Sequence, residues 1–312
     1  MNIIWKIWNV EFPWIIYNSS GPRCTTPEEL VSLGESSSSA IMMKSCSPEA
    51  RLWNPEPRYK EVELGSINSI GLANHGYKAY IDYAVDLKKD FPSKPIVASI
   101  VGFCQEDFLT LVADFQNEPN VDVLEVNLSC PNVVGKPQIA YDFEASDDLI
   151  SKIFAVPGSK PIGFKLPPYF DPVHTQMMAN VLKKYPVSFI TCINSVGNTL
   201  IIDPETEQPL IAPKGGLGWL GWDYVKPVAL ANVRMFYKLL WDRMTIIGCG
   251  WIKSWVDVFE HLLAGASLVQ LGTVLWKENT ACFERIEREF YEFMAKKWYT
   301  DISEVIWNLK EL

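Results

Sequence analysis

The chain has 312 residues, 48% of them apolar and 21% charged, which excludes a disordered or collagen-like polypeptide and allows either two domains or one α/β barrel. Asp plus Glu number 37 against 28 Lys plus Arg, a formal net charge of −9, which argues against nucleic acid as a partner because such binding needs surplus cations. No apolar run reaches the roughly 20 residues that span a bilayer, and Met1 to Val10, broken by Lys6 and Asn9, lacks the order of a signal peptide, so the expectation is a cytoplasmic protein with no membrane partner.

Eight short β-rich runs alternate with helical patterns along the chain. Ile15 to Asn18 precedes a helix over Pro27 to Leu33. Ala40 to Lys44 is followed, after a long connection, by a helix over Tyr77 to Lys89. Ile96 to Val101 leads to Asp107 to Phe115, and Val123 to Leu128 leads to Ser146 to Phe154. Pro161 to Leu166 precedes Pro172 to Lys184, and Phe189 to Asn194 precedes Lys226 to Leu240. Thr245 to Gly248 with Trp255 to Ala264, then Ser267 to Leu271 with Thr280 to Lys297, complete the set. The nearly continuous apolar runs suit parallel strands buried on both faces. Eight such units predict a (β/α)8 TIM barrel, one domain over residues 1–312, with its active site at the C-terminal face of the strands. An open doubly wound sheet is the alternative. Two connections are long. Leu52 to Leu72 is rich in Pro, Gly and Asn and reads as a loop, and Leu200 to Leu210 reads as a hairpin. Both follow strands and belong on the functional face.

The strand ends carry chemistry. The second run ends in Lys44-Ser45, the fourth in Asn127-Leu128-Ser129-Cys130-Pro131-Asn132, the fifth near Lys165 and the sixth in Asn194-Ser195. Two lysines in one barrel mouth are costly to bury without an anion. Cys130 lies in a polar loop between two asparagines, whereas Cys24, Cys46, Cys104, Cys192 and Cys282 read as small buried hydrophobes. Seven dispersed cysteines without C-x-x-C, and three histidines without H-E-x-x-H, make disulfides or a metal site unexpected. The histidines read as structural or surface residues, His261 within an amphipathic helix. Gly248-Cys249-Gly250 and Gly272-Thr273 sit after the seventh and eighth strands, where barrels hold phosphate on backbone N–H groups and a helix N-terminus. Gly216 to Gly221 matches G-x-G-x-x-G but follows a hairpin rather than the first strand of a βαβ unit, so a Rossmann site is rejected.

Asn127 to Asn132, Gly135-Lys136-Pro137-Gln138, Ala140 to Glu144, Leu64 to Ser69, Lys165 to Phe170, Asn54 to Tyr59 and Ala229 to Val233 together resemble dihydroorotate dehydrogenases, in particular the soluble, cysteine-dependent, fumarate-using class. The resemblance covers nearly the whole chain. It implies a homodimeric flavoprotein oxidoreductase with one FMN per subunit, oxidising (S)-dihydroorotate to orotate in pyrimidine (UMP) biosynthesis, with fumarate as electron acceptor. It implies Cys130 as the base at C5, hydride transfer from C6 to FMN N5, and Lys165 beside the reduced flavin. It places the substrate on Lys44, Asn68, Leu72, Asn127, Asn132, Asn194 and Ser195. Around the flavin it places Ser20, Gly21, Lys44, Ser45, Asn127, Lys165, Ile193, Gly221, Trp222, Cys249, Gly250, Trp251, Gly272 and Thr273. Cys130 and the lack of an anchor oppose the membrane-bound class, which uses serine. The motifs fit the fumarate class better than the NAD-linked class with its partner subunit. The charge and the orotate-site asparagines oppose a tRNA-modifying flavin barrel.

Several positions depart from the family. Val134 stands where the family usually has proline, and Thr199 where it has glycine. Of the 12 tryptophans, Trp8, Trp53, Trp219, Trp222, Trp251, Trp255, Trp298 and Trp307 fall where relatives commonly carry glycine. Indoles at 222 and 251 crowd a site that needs close backbone approach. Random divergence would scatter glycine losses over many residue types, so the expectation is that UGA codons are read as glycine here. The alternative is a divergent, non-catalytic barrel that has lost FMN.

Overall fold

Of the two arrangements open to eight parallel strands buried on both faces, the chain takes the barrel wrapped in helices rather than the open doubly wound sheet. The computed structural model describes residues 2–63, 65–129 and 138–310, with the backbone alone at Trp222. Its central strands are β1 (Ile16–Asn18), β2 (Ile41–Met42), β3 (Ile96–Ile100), β4 (Val123–Asn127), β5 (Ile162–Leu166), β6 (Phe189–Cys192), β7 (Thr245–Cys249) and β8 (Leu268–Leu271). Neighbours in sequence pair in parallel from β2 through to β8, except that β8 then pairs with β1. Between β1 and β2 the Asn18 side chain substitutes for part of the ladder. Its amide donates to Met42 O at 2.7 Å and its carbonyl oxygen accepts from Met42 N at 2.9 Å, while Ser39 N donates to Ile16 O.

The helices lie outside: α1 (Pro27–Glu35), α2 (Tyr77–Asp90), α3 (Gln105–Asn117), α4 (Phe143–Ala155), α5 (Pro172–Leu182), α6 (Lys226–Leu240), α7 (Trp255–Ala264) and α8 (Ala281–Lys296). Their starts follow capping chemistry. Thr26 and Glu29 form a capping box before α1 with Pro27 as its first residue; Asp171 caps α5, and Ser254 with Asp257 boxes α7. Each turns an apolar stripe to the barrel, such as Phe108, Leu111, Val112 and Phe115 of α3. No helix among the described residues is long and apolar enough to cross a membrane.

Three features differ from the sequence reading. The connection Leu52 to Leu72 is not a plain loop, because Tyr59–Val62 and Gly65–Asn68 form an antiparallel hairpin. Gly65–Asn68 also pairs with Gly218–Gly221, which pairs with Val196–Thr199, giving a four-stranded sheet over the barrel mouth. The G-x-G-x-x-G stretch is thus partly strand and opens no helix after the first strand of a βαβ unit. The segment after Met1 forms a hairpin, Trp5–Ile7 with Val10–Phe12. The hairpin expected over Leu200 to Leu210 is present as Ile202–Asp203 with Gln208–Pro209.

His261, read as structural or surface, is fully buried on α7 against β7. Its Nδ1 lies 2.4 Å from where a Cβ on Gly248 would fall, so Gly248 is required by packing. Burial holds the imidazole pKa down at about 4, against the Gly250 carbonyl and Asp257, which raise it. As pH falls, the unfolded chain takes up this proton from its ordinary value of 6.5 and the folded chain only near 4. Between those values the unfolded state binds more protons, so stability declines with falling pH, by about 2–3 kcal/mol at pH 4.5. Urea unfolding from pH 7.5 to 4.5 should therefore show a shallower loss in His261→Gln than in the parent. Equal slopes would contradict this assignment.

Candidate active site

Register sets the floor of the site. Asn127 on β4 pairs with Lys165 on β5, which pairs with Thr191 on β6, so these residues share one level of the barrel near the strands' C-terminal ends. Cys249 on β7 pairs with Gln270 on β8. Above this level lies a cavity of about 360 Å³, within the range of small-molecule sites.

Lys165 is 4% exposed, and its ammonium donates to Gln270 Oε1 at 3.2 Å and lies 3.7 Å from Cys249 Sγ. Gln270 is held in turn, its amide donating to Glu125 Oε2 at 2.7 Å and to Tyr17 OH at 3.0 Å. Thr191 Oγ1 also donates to Glu125 Oε2, at 2.7 Å. Burial works against the Lys165 charge, but the negative charges of Cys249, when ionised, and of Glu125 outweigh it and lift its pKa above the ordinary lysine value. Burial raises the Cys249 thiol despite the pull of Lys165. Among the groups that favour the Lys165 ammonium, Cys249 comes first and Glu125 second, while burial of Cys249 itself favours its neutral thiol. A fixed cation at the base of a cavity can stabilise negative charge developing on whatever lies above it.

The walls supply directional groups. Asn127 Oδ1 accepts from Ser129 N at 3.0 Å and from Asn194 Nδ2 at 3.4 Å; Asn194 Oδ1 accepts from Ser195 N at 2.9 Å. Asn68 comes from the roof sheet, where its amide donates to Trp219 O at 3.1 Å. Lys44 donates to Gly21 O at 3.0 Å, and Ser45 Oγ joins Ser20 Oγ and Ser99 Oγ at 3.1 and 2.8 Å. Leu72 follows Gly71, and both have positive φ (59° and 89°), with Asn74 Nδ2 donating to Leu72 O. Such conformations cluster at ligand sites.

Of the residues expected from sequence, the cavity is lined by Ser20, Gly21, Lys44, Ser45, Asn68, Leu72, Asn127, Lys165, Ile193, Asn194 and Ser195, and by Gly221, Cys249, Gly250, Trp251, Gly272 and Thr273. Cys130 and Asn132 lie outside the described residues, as does the Trp222 side chain. Val134, noted for its departure from proline, lies outside them too. Sequence reasoning missed Glu125 and Gln270. A carboxylate and an amide inside apolar strands were the available signal. It also missed Arg51, whose guanidinium lies 4.8 Å over the Phe103 ring at the rim and donates to Gly71 O.

A barrel whose mouth holds a buried lysine, a ring of amides and glycine turns after β7 and β8 defines an α/β-barrel site for a polar, anionic small molecule. Comparison with known proteins gives the family. The dihydroorotate dehydrogenase family matches residues 3–294, and the chain belongs to it. A Lachancea kluyveri protein named dihydroorotate dehydrogenase (fumarate) is 47% identical over 296 residues, covering 95% of this chain and 94% of the relative. A Kluyveromyces lactis protein of the same name is 47% identical over 309 residues, 97% of this chain and 98% of its own. A crystal structure of a dihydroorotate dehydrogenase from Eimeria tenella in complex with ferulenol superposes with a TM-score of 0.82 at 17% identity, covering 98% of this chain and 88% of that one, which bears on the fold alone.

Proposed function

We propose that the protein oxidises (S)-dihydroorotate to orotate in pyrimidine biosynthesis, using FMN and passing electrons to fumarate, as a cytoplasmic homodimer. The observation that carries this reading is the Lys165–Gln270–Glu125 network beneath a cavity walled by Asn68, Asn127 and Asn194. A non-catalytic barrel has no physical use for a buried ammonium held charged by a buried carboxylate, which costs stability relative to apolar residues. The cavity size, the serine hydroxyls at 20 and 45 and the glycines at 221, 250 and 272 fit a planar ring with a phosphate tail.

When bound, the flavin supplies the hydride acceptor. Lys165 holds a positive charge at the cavity floor and favours an anionic partner there. Ser20, Ser45 and Lys44 would hold the ring on the β1–β2 side, with Ile193 under it, while Gly221, Gly250, Gly272 and Thr273 would hold the phosphate. Asn68, Asn127 and Asn194 present both donors and acceptors, which suits the alternating amide and carbonyl edge of a pyrimidine, and Asn132 would add to them. Lys44 and Ser195 would take its carboxylate. Cys130 would remove the C5 proton as thiolate. The roof sheet, from Val196–Thr199 to Tyr59–Val62, would cover bound ligands on the side facing away from the barrel floor.

Asn194→Ala deletes the amide that donates to Asn127 Oδ1, which keeps its bond from Ser129 N, so the loss falls on the group Asn194 presents to the substrate rather than on the fold. The expected result is a 10- to 100-fold fall in kcat/KM for dihydroorotate with little change in bound flavin. An unchanged kcat/KM would remove Asn194 from the site. The acceptor is tested by orotate formation with fumarate alone and with NAD alone. Turnover with fumarate is expected; turnover only with NAD would contradict the acceptor, and none with either would contradict the reading.

A further inference from the structure

Ten described residues other than glycine have φ between 51° and 63°, and four of them are tryptophan: Trp8 (56°), Trp251 (52°), Trp298 (62°) and Trp307 (63°). Tryptophan is 12 of 312 residues, so chance would place fewer than one there. In this region Cβ is forced against the neighbouring carbonyl oxygen, a clash that glycine escapes and that makes a bulky residue a marked outlier. All four belong to the eight tryptophans at family glycine positions. Trp5, Trp14, Trp241 and Trp276, which have no glycine counterpart, are absent from this set.

The local motifs ask for glycine as well. Trp298 follows the end of α8, with Trp298 N donating to Ala295 O at 3.1 Å and Tyr299 N to Met294 O at 3.0 Å. These two bonds make a Schellman motif with Trp298 at its left-handed position. The end of α7 makes the same pair, Gly265 N to Leu262 O and Ala266 N to His261 O, around a glycine with φ 117°. Trp298 is 88% exposed, so no burial of its indole offsets the strain. Trp8 is the first residue of the two-residue loop between Trp5–Ile7 and Val10–Phe12, where hairpin turns take glycine, and it is 70% exposed. Trp251 follows Gly250 (φ 135°) at the end of β7, making two successive positive-φ residues in the wall of the cavity.

We propose that positions 8, 251, 298 and 307 are glycine in the protein as its own cell makes it, the codon UGA being read there as glycine, and that Trp53, Trp219, Trp222 and Trp255 follow the same rule. At position 251 the consequence is functional, and this part rests on the flavin reading above. With glycine there, the turn after β7 presents backbone N–H groups with no side chain in front of them, and a phosphate monoester can reach them. With tryptophan, the indole lines that wall instead, with the Lys253 ammonium packed 4.7 Å from its ring centre.

Peptide mass spectrometry of protein purified from its natural source reads the four residues directly. Glycine at all four is expected, and tryptophan at any one overturns the proposal. A second measurement uses recombinant full-length chains. Trp8→Gly combined with Trp298→Gly should raise the thermal midpoint by about 4 °C, since two exposed left-handed positions are relieved. An unchanged or lower midpoint overturns the proposal. Titration with FMN should show at least tenfold tighter binding for Trp251→Gly than for the tryptophan chain, and equal affinity would overturn the functional part. Glycine by mass together with a raised midpoint, but no FMN binding by either chain, would uphold the residue assignment and sink the flavin reading.

Discussion

Replacing Lys165 with methionine is expected to lower dihydroorotate oxidation about 10²- to 10³-fold, the scale of losing one preorganised charge donor. It should also destabilise the barrel. Lys165 is buried beside Glu125 through Gln270, and removing one member of a buried charge pair leaves the other uncompensated, at about 3–5 kcal/mol. The two effects separate in a cycle. Glu125→Gln in the Lys165→Met background removes the orphaned charge and should recover most of the thermal midpoint while leaving activity low. Glu125→Gln alone should make Lys165 easier to deprotonate, because it deletes a charge that, beside Cys249, offsets burial. Its activity should then fall at alkaline pH, where the parent has completed its climb and holds its rate. A double variant as active as the parent would show that the ammonium has no role in the reaction.

The second large effect is at Cys130. Cys130→Ala is expected to lower substrate oxidation by about 10²- to 10⁴-fold, the usual contribution of a positioned general base. In the parent the rate should climb with pH toward the ordinary thiol range near 8.5, because the thiolate is the active form. Cys130→Ser should retain a trace of activity that keeps rising at still higher pH. Cys249 provides the contrast. Burial holds it as a thiol, it points at Lys165, and Cys249→Ser should change the rate by less than tenfold. Loss of the pH climb in the Cys249 variant rather than the Cys130 variant would reverse the two roles.

The barrel was legible because its signal is local. Each of β1 to β8 falls on an apolar run bounded by turn residues, β7 running one residue further to Cys249, and α6 and α7 begin and end where their periodicity does. The roof sheet was not legible. Gly65–Asn68 is a short, partly polar strand whose partner Gly218–Gly221 lies about 150 residues away, a pairing fixed by topology rather than by pattern. The site was legible where polar residues end apolar runs, as at Lys44, Asn127 and Asn194. It was missed where polar residues sit inside them. Glu125 and Gln270 lie within fully buried strands, and only the closed barrel shows that both converge on Lys165. The tryptophans were suspect from the family pattern. Their left-handed φ values are a backbone property that sequence does not display.

The central claim is that this cavity oxidises dihydroorotate through a bound flavin. The most direct test is the visible spectrum of purified protein loaded with FMN, recorded before and after anaerobic addition of dihydroorotate. The full-length chain with glycine at 8, 53, 219, 222, 251, 255, 298 and 307 is the form to measure. The account predicts a yellow protein whose flavin absorbance bleaches on adding substrate and returns on adding fumarate. A protein that holds flavin but stays yellow with dihydroorotate, or one that holds no flavin at all, would contradict it.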